Sequence, residues 1–545
     1  MSAHLAPAGA GDAPTLPDRW VYVSRNLNRD QDVDDIRAIA TTASQHGLNG
    51  MLLTGSFDTL DLRDAAYFAR LEQVKALCRE RSIEIIPIIF SAGYGGGVRA
   101  HDPNLAAGLP VVDAPYVVRN GEAVLVPEGG VKLVNGGFEE AEGQKLPGFD
   151  FYDKPGEIAH LDHEIFKEGG TALRFERVAE FSPDHGHARV MQQVKVKPHR
   201  FYRLSLWVRT KNLQPKSAFR LQVYTEKRAL ASVDPGLSGT NDWTQVALDF
   251  NSADNEMLGF YLGQWGGKSG TVWLDDLRLE ERSLVNVVRR PGCPVIVRSE
   301  DGATTYDEGR DSEPLPPLQR FRANADPTPL KVVAGGRIKD GDRLRLSYYH
   351  ALSINQGQVS VCMSEPKLYE IWSQVAVEIH KRLAPSKWFL SMDEIRMGGS
   401  CAACKARGMT MGEILGDCLT KQVQLIRALD PKAEVYVWSD MLDPNHNAHG
   451  DYYLVDGDFT GSWEHVPKDL IIACWYHKIR DKSLKSFSAL GFRTLGGAYY
   501  DSNSLDGCRD WLASLQRTPK ARGIMYTTWQ NKYELLAGFG ELVSK

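Results

Sequence analysis

The sequence predicts an α/β fold in which a (β/α)8 barrel is interrupted by an inserted all-β jelly-roll sandwich. Two observations support this prediction. Apolar runs of strand length alternate with helical patterns in the first 90 residues and again after residue 343, as in parallel sheets that are covered by helices. Between residues 131 and 281 short strand patterns follow one another without a helix, which is typical of a β-sandwich.

Length and composition suit a soluble globular protein of two or three domains. The chain has 545 residues, of which 43% are hydrophobic and 24% are charged. Its net charge is -5 and it has no basic run, so neither nucleic acid nor a membrane surface is an expected partner. The 12 Trp and 20 Tyr residues offer flat apolar faces on which sugar rings stack. Composition therefore permits a carbohydrate ligand but does not demand one.

The first 18 residues predict a flexible tail. They are rich in Ala, Gly and Pro and lack the basic and apolar regions of a signal peptide. The compartment stays open: the default is cytoplasmic, and a periplasmic or secreted protein whose signal peptide had been removed would have the same sequence.

The first part of the barrel is assigned to residues 19–130. Strands are predicted at 20–25, 50–54 and 83–90, and helices at 32–46 and 64–81. The loop after the third strand contains Tyr94 among several glycines, which let backbone approach a ligand closely. Its glycines lack the order of a phosphate-binding loop, so no nucleotide cofactor is expected.

The inserted sandwich is assigned to residues 131–282, and residues 283–342 are read as a linker with irregular β structure. Strands of the sandwich are predicted at 188–196, 201–210, 218–225, 244–250, 257–263 and 270–279. The segments 133–139, 202–208 and 272–277 resemble carbohydrate-binding modules related to families 4 and 9, a resemblance that implies a jelly roll. Trp243, Trp265 and Trp273 are candidate sugar platforms, although Trp207 and Trp273 also suit core packing.

The second part of the barrel is assigned to residues 343–545. Strands are predicted at 343–349, 388–393, 434–438, 470–475, 493–500 and 523–529, and helices at 366–383, 411–429 and 481–490. The two parts together give nine strands for the eight places of the ring. We expect strand 343–349 to lie outside the ring, because it adjoins the insertion.

The predicted strand ends carry acidic and aromatic side chains, and in such barrels the carboxyl ends of the strands hold the chemistry. The fourth strand ends in Asp393 and Glu394, and this pair is the candidate catalytic centre. The candidate substrate-binding residues follow the other strands: Arg25, Tyr94, Trp438, Asp440, Trp475, Tyr499, Tyr500, Trp529 and Gln530. Each has an ordinary alternative, since a Trp is more often core and Arg25 suits an ion pair with an acidic neighbour.

This order of strand ends resembles the catalytic barrel of family 20 glycoside hydrolases, the β-N-acetylhexosaminidases, as does segment 361–369. The resemblance implies Glu394 as general acid and base, and Asp393 as the group that orients the acetamido N–H. It further implies that Tyr499 or Tyr500 binds the acetamido oxygen, that Arg25 holds ring hydroxyls, and that Trp438, Trp475 and Trp529 wall the pocket. The chain departs from the family at strands two and three, which lack the usual His and acidic residues, and at Gln530, where the family generally has Glu.

Three functions follow from these residues. The first is an exo-acting, retaining β-N-acetylhexosaminidase that uses substrate assistance. The second is a retaining glycosidase for sugars without an acetamido group, with Asp440 or Glu464 as nucleophile. The third is a non-catalytic carbohydrate-binding protein. The expected partner is an oligosaccharide or glycoconjugate, no cofactor is expected, and a homo-oligomer is compatible with the sequence.

Cysteine usage predicts neither a disulfide scaffold nor a metal site. The 8 Cys residues are sparse for this length, and Cys401 and Cys404 form a lone Cys-x-x-Cys. This pair suits a disulfide, half a zinc site or two packed thiols. Structural zinc takes four ligands and the sequence has no second Cys-x-x-Cys, so we expect no metal.

Overall fold

The computed structural model describes residues 16–355 and 357–545. Within these residues eight parallel strands close a barrel in chain order, as predicted. The barrel strands are Asp18–Val23, Gly50–Leu53, Glu84–Ile89, Lys387–Leu390, Glu434–Trp438, Ile471–Cys474, Arg493–Gly497 and Ala521–Tyr526. Residues 1–15 of the predicted tail lie outside the described residues, and Asp18 already belongs to the first strand.

The inside of the barrel is a packed core and not a channel, as is usual for eight strands. Large aromatic rings fill it. The ring centroids of Trp20 and Tyr436 are 4.7 Å apart, and those of Phe389 and Trp438 are also 4.7 Å apart. The outward-facing side chains of the same strands pack against the surrounding helices. Because successive side chains of a strand point to opposite faces, the short apolar runs of the sequence serve both layers.

The helices around the barrel are fewer than a complete (β/α)8 fold requires. The described residues contain seven helices of eight residues or more: Asp30–Gln45, Ala65–Glu80, Pro366–Leu383, Met411–Leu429, Arg480–Ala489, Asp506–Gln516 and Leu536–Val543. Residues 439–470, between the fifth and sixth strands, form only the 3-10 turns Asp440–Leu442 and Ser462–Glu464 and the short strand Leu454–Val455. This stretch is rich in Asp, Asn and Gly, which favour turns over helix.

Shorter helical segments lie in the loops and in the insertion. The α-helical ones are Gly96–His101, Val178–Phe181 and Ala402–Lys405, and the 3-10 turns are Phe57–Leu62, Pro103–Leu105, Lys216–Ala218 and His477–Ile479. In the described part of the chain, no helix combines the length and the apolar character needed to cross a bilayer.

The helix that follows the fourth barrel strand shows how local chemistry sets an element. Met411–Leu429 begins at a capping box, in which the Thr410 hydroxyl accepts from the Glu413 N–H and the Glu413 carboxylate accepts from the Thr410 N–H. Its apolar residues recur at helical spacing and are buried against the barrel. The cap and the buried face together define where this helix starts and which side it presents.

Two five-stranded antiparallel sheets form the inserted sandwich. One consists of Asn241–Asn251, Phe201–Gln214, Ser269–Glu281, Ala172–Phe175 and Ala159–Asp162, in that order. The other consists of Ala229–Val233, Phe219–Tyr224, Met257–Gln264, Ala188–Lys195 and Phe151–Tyr152. Alternate side chains of both sheets share one buried core, as in other sandwiches.

A third antiparallel sheet was not predicted. Its six strands are, in order, Thr305–Tyr306, Ile296–Ser299, Arg343–His350, Leu109–Arg119, Glu122–Leu125 and Leu330–Lys331. Arg343–His350 therefore lies outside the barrel ring, as expected, but residues 109–125 pair with it and not with the barrel strands. The pairing joins Leu109–Arg119 to a strand more than 200 residues further along the chain, and local periodicity carries no signal for such a partner.

A buried ionic cluster joins several strands at the amino end of the barrel. The Tyr436 hydroxyl donates to the Asp18 carboxylate across 2.7 Å, and Arg522 lies 3.3 Å from the same carboxylate. Arg522 also pairs with Glu434 at 3.0 Å. Asp18 is 3% exposed, and burial raises its pKa. The cluster ties the first, fifth and eighth strands together.

We expect Asp18→Ala to lower the free energy of unfolding by about 2 kcal/mol, because Tyr436 and Arg522 would lose a buried acceptor. Urea unfolding followed by tryptophan fluorescence measures the change. Asp34→Ala is the matched control: its carboxylate is 68% exposed and lies 4.0 Å from Arg37, so it should change stability by less than about 0.5 kcal/mol. Equal effects of the two substitutions would contradict a bracing role for the cluster.

Candidate active site

The acidic loop that follows the fourth barrel strand is held in a special backbone conformation. Glu394 has a φ of 48°, in the left-handed region that few residues other than glycine adopt. The preceding Asp393 accepts a hydrogen bond of 3.0 Å from the Ser391 hydroxyl. Gly93 packs on this loop so closely that a Cβ there would lie 2.1 Å from the Asp393 carbonyl oxygen. The loop after the third strand therefore needs glycine at that position.

Both the backbone and the side chain of Glu394 are engaged. Its N–H donates to Asp440 across 2.9 Å, and its carbonyl accepts from the Gln358 amide at 2.6 Å. Its carboxylate accepts from the Tyr94 hydroxyl at 2.6 Å and pairs with Arg396 at 2.9 Å. These contacts fix the orientation of the carboxylate.

Asp440 anchors the loop and is closed to solvent. Its side chain accepts from the Glu394 N–H, from the Asn447 amide at 2.9 Å and from the Trp475 indole at 3.4 Å. The residue is 0% exposed. Burial, together with the Glu394 charge, raises the pKa of Asp440 to about 6. Its geometry suits positioning of Glu394 and not contact with a substrate.

Asp393 faces a cavity of about 610 Å³ at the carboxyl end of the barrel. Tyr22, Tyr94, Trp438 and Trp529 line the same cavity. Burial and then the charges of Asp440 and Glu394 raise the pKa of Asp393 to about 7. Because three carboxyl groups share this end of the barrel, the cluster holds a proton close to neutral pH.

Asp58 is a second acidic side chain of this cavity that sequence reasoning overlooked. It lies in the loop after the second strand and accepts from the N–H groups of Phe90 and Ser91 at 2.7 and 3.4 Å. Burial raises its pKa to about 6. The signal in the sequence was the position of Asp58 shortly after a barrel strand. The resemblance to family 20 drew attention instead to the His and Asp that this strand lacks.

Aromatic rings on or just beyond five barrel strands surround the acidic loop. The Trp529 ring centroid lies 5.3 Å from Tyr22, 5.9 Å from Trp438, 6.3 Å from Trp475 and 6.2 Å from Tyr500. Trp475 and Tyr500 are nearly parallel, with an interplanar angle of 8°. Tyr500 is 54% exposed and Trp529 is 40% exposed, so both present ring surface to a ligand. Trp438 is buried and forms the floor of this cluster.

Two predicted site residues, Tyr499 and Arg25, have their side chains bound elsewhere, and a third, Gln530, contributes only its backbone N–H to a contact. Tyr499 is 1% exposed, donates its hydroxyl to the Ser502 carbonyl at 2.6 Å and stacks on a neighbouring ring. Arg25 pairs with Asp35 at 2.9 Å, which was the ordinary alternative for this residue. Gln530 is exposed and its N–H donates to the Asp501 carboxylate.

Glu464, the other candidate nucleophile of the second hypothesis, is exposed on the 3-10 turn Ser462–Glu464. This turn packs against the outer helix Met411–Leu429 and against Asp440–Leu442, but Glu464 does not line the cavity that Asp393 faces. The position of Glu464 therefore gives no support to a catalytic role.

Several residues that hold the acidic loop were not predicted. Arg396 is 7% exposed, contacts the Gln358 side chain, and lies 5.0 Å from the Tyr453 ring centroid. Asn447 reaches Asp440 from the loop after the fifth strand. The strands Met397–Gly398 and Leu454–Val455 pair in parallel and join these two loops. Arg396 had a local signal, since it stands two residues after Glu394, but the other partners come from distant parts of the chain.

Comparisons with known proteins found similarity to solved structures at low identity. No protein-family model matches the chain, and no curated protein matches it. A rhamnosidase from Novosphingobium sp. PP1Y is 11% identical to this chain. The match covers 95% of this chain and 56% of the rhamnosidase, with a TM-score of 0.34. A carbohydrate-binding module solved with beta-1,4-galactotriose is 15% identical over 28% of this chain and 99% of its own, with a TM-score of 0.22.

A chitobiase from Flavobacterium johnsoniae is also similar, at 14% identity over 34% of this chain and 29% of its own, with a TM-score of 0.24. This chain thus spans little more than half of the rhamnosidase and less than a third of the chitobiase. The chemistry of the site accordingly has to be read from its own side chains.

The buried carboxyl of Asp440 predicts a specific pH dependence of stability. Its folded pKa of about 6 lies above the ordinary value of 3.8, so its stabilising contribution is complete below about pH 4 and is lost as the pH rises through about 6. Between pH 4 and 7 the wild type should lose on the order of 2 kcal/mol relative to Asp440→Asn, which lacks this titration. Urea unfolding of both proteins over this range measures the difference, and parallel pH profiles would contradict it.

Proposed function

We propose that this chain is an exo-acting, retaining glycoside hydrolase of the β-N-acetylhexosaminidase type, in which the acetamido group of the substrate acts as the nucleophile. The observation that carries the proposal is the placement of two adjacent carboxyl groups with different surroundings. Asp393 faces the aromatic-lined cavity, whereas Glu394 is held beside it by Tyr94 and Arg396. This arrangement suits a site in which two carboxyl groups play different parts in the cleavage of one bond.

The reaction needs one proton donor and one group that stabilises positive charge. The acetamido oxygen attacks the anomeric carbon, and the bond to the leaving oxygen breaks as that oxygen takes a proton from Glu394. The product of this step is an oxazolinium ion, whose N–H donates to the Asp393 carboxylate. Water then gives a proton to Glu394 and attacks the anomeric carbon, so the acetamido group is restored and the configuration is retained.

The charges around the loop support these roles. The carboxyl cluster keeps a proton close to neutral pH, because burial and mutual repulsion raise the pKa of Asp393 to about 7 and of Asp440 to about 6. A cationic intermediate beside Asp393 favours the charged form of that carboxyl, which is the form that accepts the N–H of the oxazolinium ion. Asp440 fixes the backbone of Glu394 throughout and is a positioning residue.

Tyr500 is the better donor to the acetamido oxygen of the two tyrosines considered. It is 54% exposed and stands beside Trp475 and Trp529, whereas the Tyr499 hydroxyl already donates to a backbone carbonyl. The apolar ring faces around Tyr500 suit the methyl group of an acetamido substituent. The runner-up mechanism, a separate carboxylate nucleophile, gains no support from Asp440, which is buried behind three donors.

A matched set of variants tests the proposal on p-nitrophenyl N-acetylglucosaminide and N-acetylgalactosaminide. Asp393→Asn should lower kcat by about 10²–10³-fold, because it weakens charge stabilisation in the transition state. Tyr500→Phe should also lower kcat, while the control Tyr499→Phe should leave it nearly unchanged. Thiazoline analogues of the intermediate should inhibit the wild type.

Covalent labelling separates this mechanism from the runner-up. A fluorosugar that trapped a glycosyl-enzyme at Asp58, Asp440 or another carboxylate would overturn substrate assistance, and thiazolines would then fail to inhibit. Turnover of galactosides or glucosides without turnover of acetamido sugars would likewise overturn the proposed substrate class.

A groove on the sandwich favours a second function, carbohydrate binding apart from the barrel. Its cavity of about 360 Å³ lies on the face of the second sheet that is turned away from the shared core. Tyr224, Tyr261 and Trp265 line it together with polar side chains such as Gln193 and Glu226. Rings beside hydrogen-bonding groups are what a sugar ligand needs. Of the three tryptophans considered as platforms, Trp273 is instead buried and donates to Asp162.

We expect Trp265→Ala to weaken polysaccharide binding by about tenfold, because the groove would lose a ring face. Retardation of the full-length protein in native gels containing a panel of soluble polysaccharides measures this affinity. Trp243→Ala is the control, since Trp243 lies on strand Asn241–Asn251 of the opposite sheet. Equal retardation of wild type and both variants would argue that the groove binds no polysaccharide of the panel.

A further inference from the structure

Three buried cysteine sulfurs meet beside the barrel, outside the candidate active site. The Sγ atoms of Cys362 and Cys401 are 3.5 Å apart, and each lies 3.6 Å from the Sγ atom of Cys404. Cys401 and Cys404 belong to the lone Cys-x-x-Cys, whereas Cys362 stands before the helix Pro366–Leu383. The fold therefore brings a third thiol, from a separate part of the chain, to the lone Cys-x-x-Cys.

The triangle of sulfurs has the dimensions of one face of a tetrahedral zinc site. With zinc–sulfur bonds of about 2.3 Å, the edges of an ideal tetrahedron of sulfurs are about 3.75 Å. An ion bound equally to the three sulfurs present here would lie about 1 Å above their plane, with sulfur–metal–sulfur angles of about 102°. Small outward shifts of these three side chains would bring their sulfurs to the spacing of a tetrahedral site.

Cys293 is a candidate for the fourth ligand, but it would have to move to reach the ion. It is 1% exposed, and its sulfur lies outside the group formed by Cys362, Cys401 and Cys404, whose sulfurs are all within 4.8 Å of one another. A turn holds it in place, in which the Cys293 N–H donates to the Arg290 carbonyl at 2.9 Å.

Arg290 provides the outer support that a thiolate centre needs. Its side chain is 6% exposed and donates to the Cys401 sulfur at 3.7 Å. It also donates to the backbone carbonyls of Asn104 and Ala106 at 2.6 and 2.7 Å, and pairs with Glu365 at 2.7 Å. A buried guanidinium in this position orients the ligands and offsets part of the negative charge of a metal bound by four thiolates.

We propose that Cys362, Cys401 and Cys404, with Cys293 drawn in as the fourth ligand, form a structural zinc site. The ion would join three parts of the chain: the turn that holds Cys293, the segment before the helix Pro366–Leu383, and the loop that continues from Glu394 and Arg396 to Cys404. Binding would release the thiol protons, and the gain in stability would be lost when the metal is removed. The proposed zinc site does not depend on the proposed hydrolase activity, because the zinc would stabilise the fold of the loop and take no part in its chemistry.

Metal analysis of the full-length protein, purified under reducing conditions after expression with added zinc, tests the proposal. We expect about one zinc per chain in the wild type. Cys362→Ser and Cys404→Ser should lose it, whereas the control Cys418→Ser should retain it, since Cys418 is a buried thiol on the helix Met411–Leu429 away from the cluster. Wild type without bound metal, or with iron in place of zinc, would overturn the assignment.

Cobalt substitution of the wild type keeps the test independent of whether the variants fold. Four thiolate ligands predict strong sulfur-to-cobalt charge-transfer absorption and the visible bands of a tetrahedral ion. Loss of one sulfur in Cys293→Ser should weaken the charge-transfer band, and an unchanged spectrum would overturn the role of Cys293. A disulfide between Cys401 and Cys404 in peptide mapping of the freshly purified protein would overturn the whole site.

Discussion

The hydrogen bond from the Glu394 N–H to the buried Asp440 carboxylate is the contact on which the candidate site depends. It holds Glu394 at a φ of 48°, a conformation that would otherwise relax, and it joins the loops after the fourth and fifth barrel strands. The strands Met397–Gly398 and Leu454–Val455 extend the same junction. The stretch after the fifth strand lacks the usual covering helix, and its turns instead bring Asn447 to Asp440.

Clustering three carboxyl groups has an electrostatic cost that the structure only partly offsets. Arg396 pairs with the Glu394 carboxylate, and N–H groups donate to the oxygens of Asp440. The remaining repulsion and burial raise the pKa of Asp393 and Asp440, so a proton stays available near neutral pH. The electrostatic repulsion that destabilises the fold at this point is thus the same property that suits the site to acid–base chemistry.

The insertion between the third and fourth barrel strands does more than add a sandwich. Its third sheet pairs Leu109–Arg119 with Arg343–His350 and so brings the chain back to the barrel at the segment before the helix Pro366–Leu383. Arg290 and Cys362 stand at this return and contact Cys401, at the end of the acidic loop. The insertion and the acidic loop are therefore in direct contact at this point.

Local periodicity was enough to predict the barrel strands, most of their helices and six of the ten strands of the sandwich, because side-chain periodicity in strands and helices is a property of neighbouring residues. It also marked Asp393 and Glu394, since an apolar run that ends in two carboxylates is visible without any partner. Tertiary structure alone decided that Tyr500 and not Tyr499 is exposed beside the tryptophans, that Asp58 faces the same cavity as Asp393, and that residues 109–125 leave the barrel. It also gathered single cysteines into one group. Each of these outcomes depends on contacts between residues far apart in the chain, where sequence spacing carries no signal.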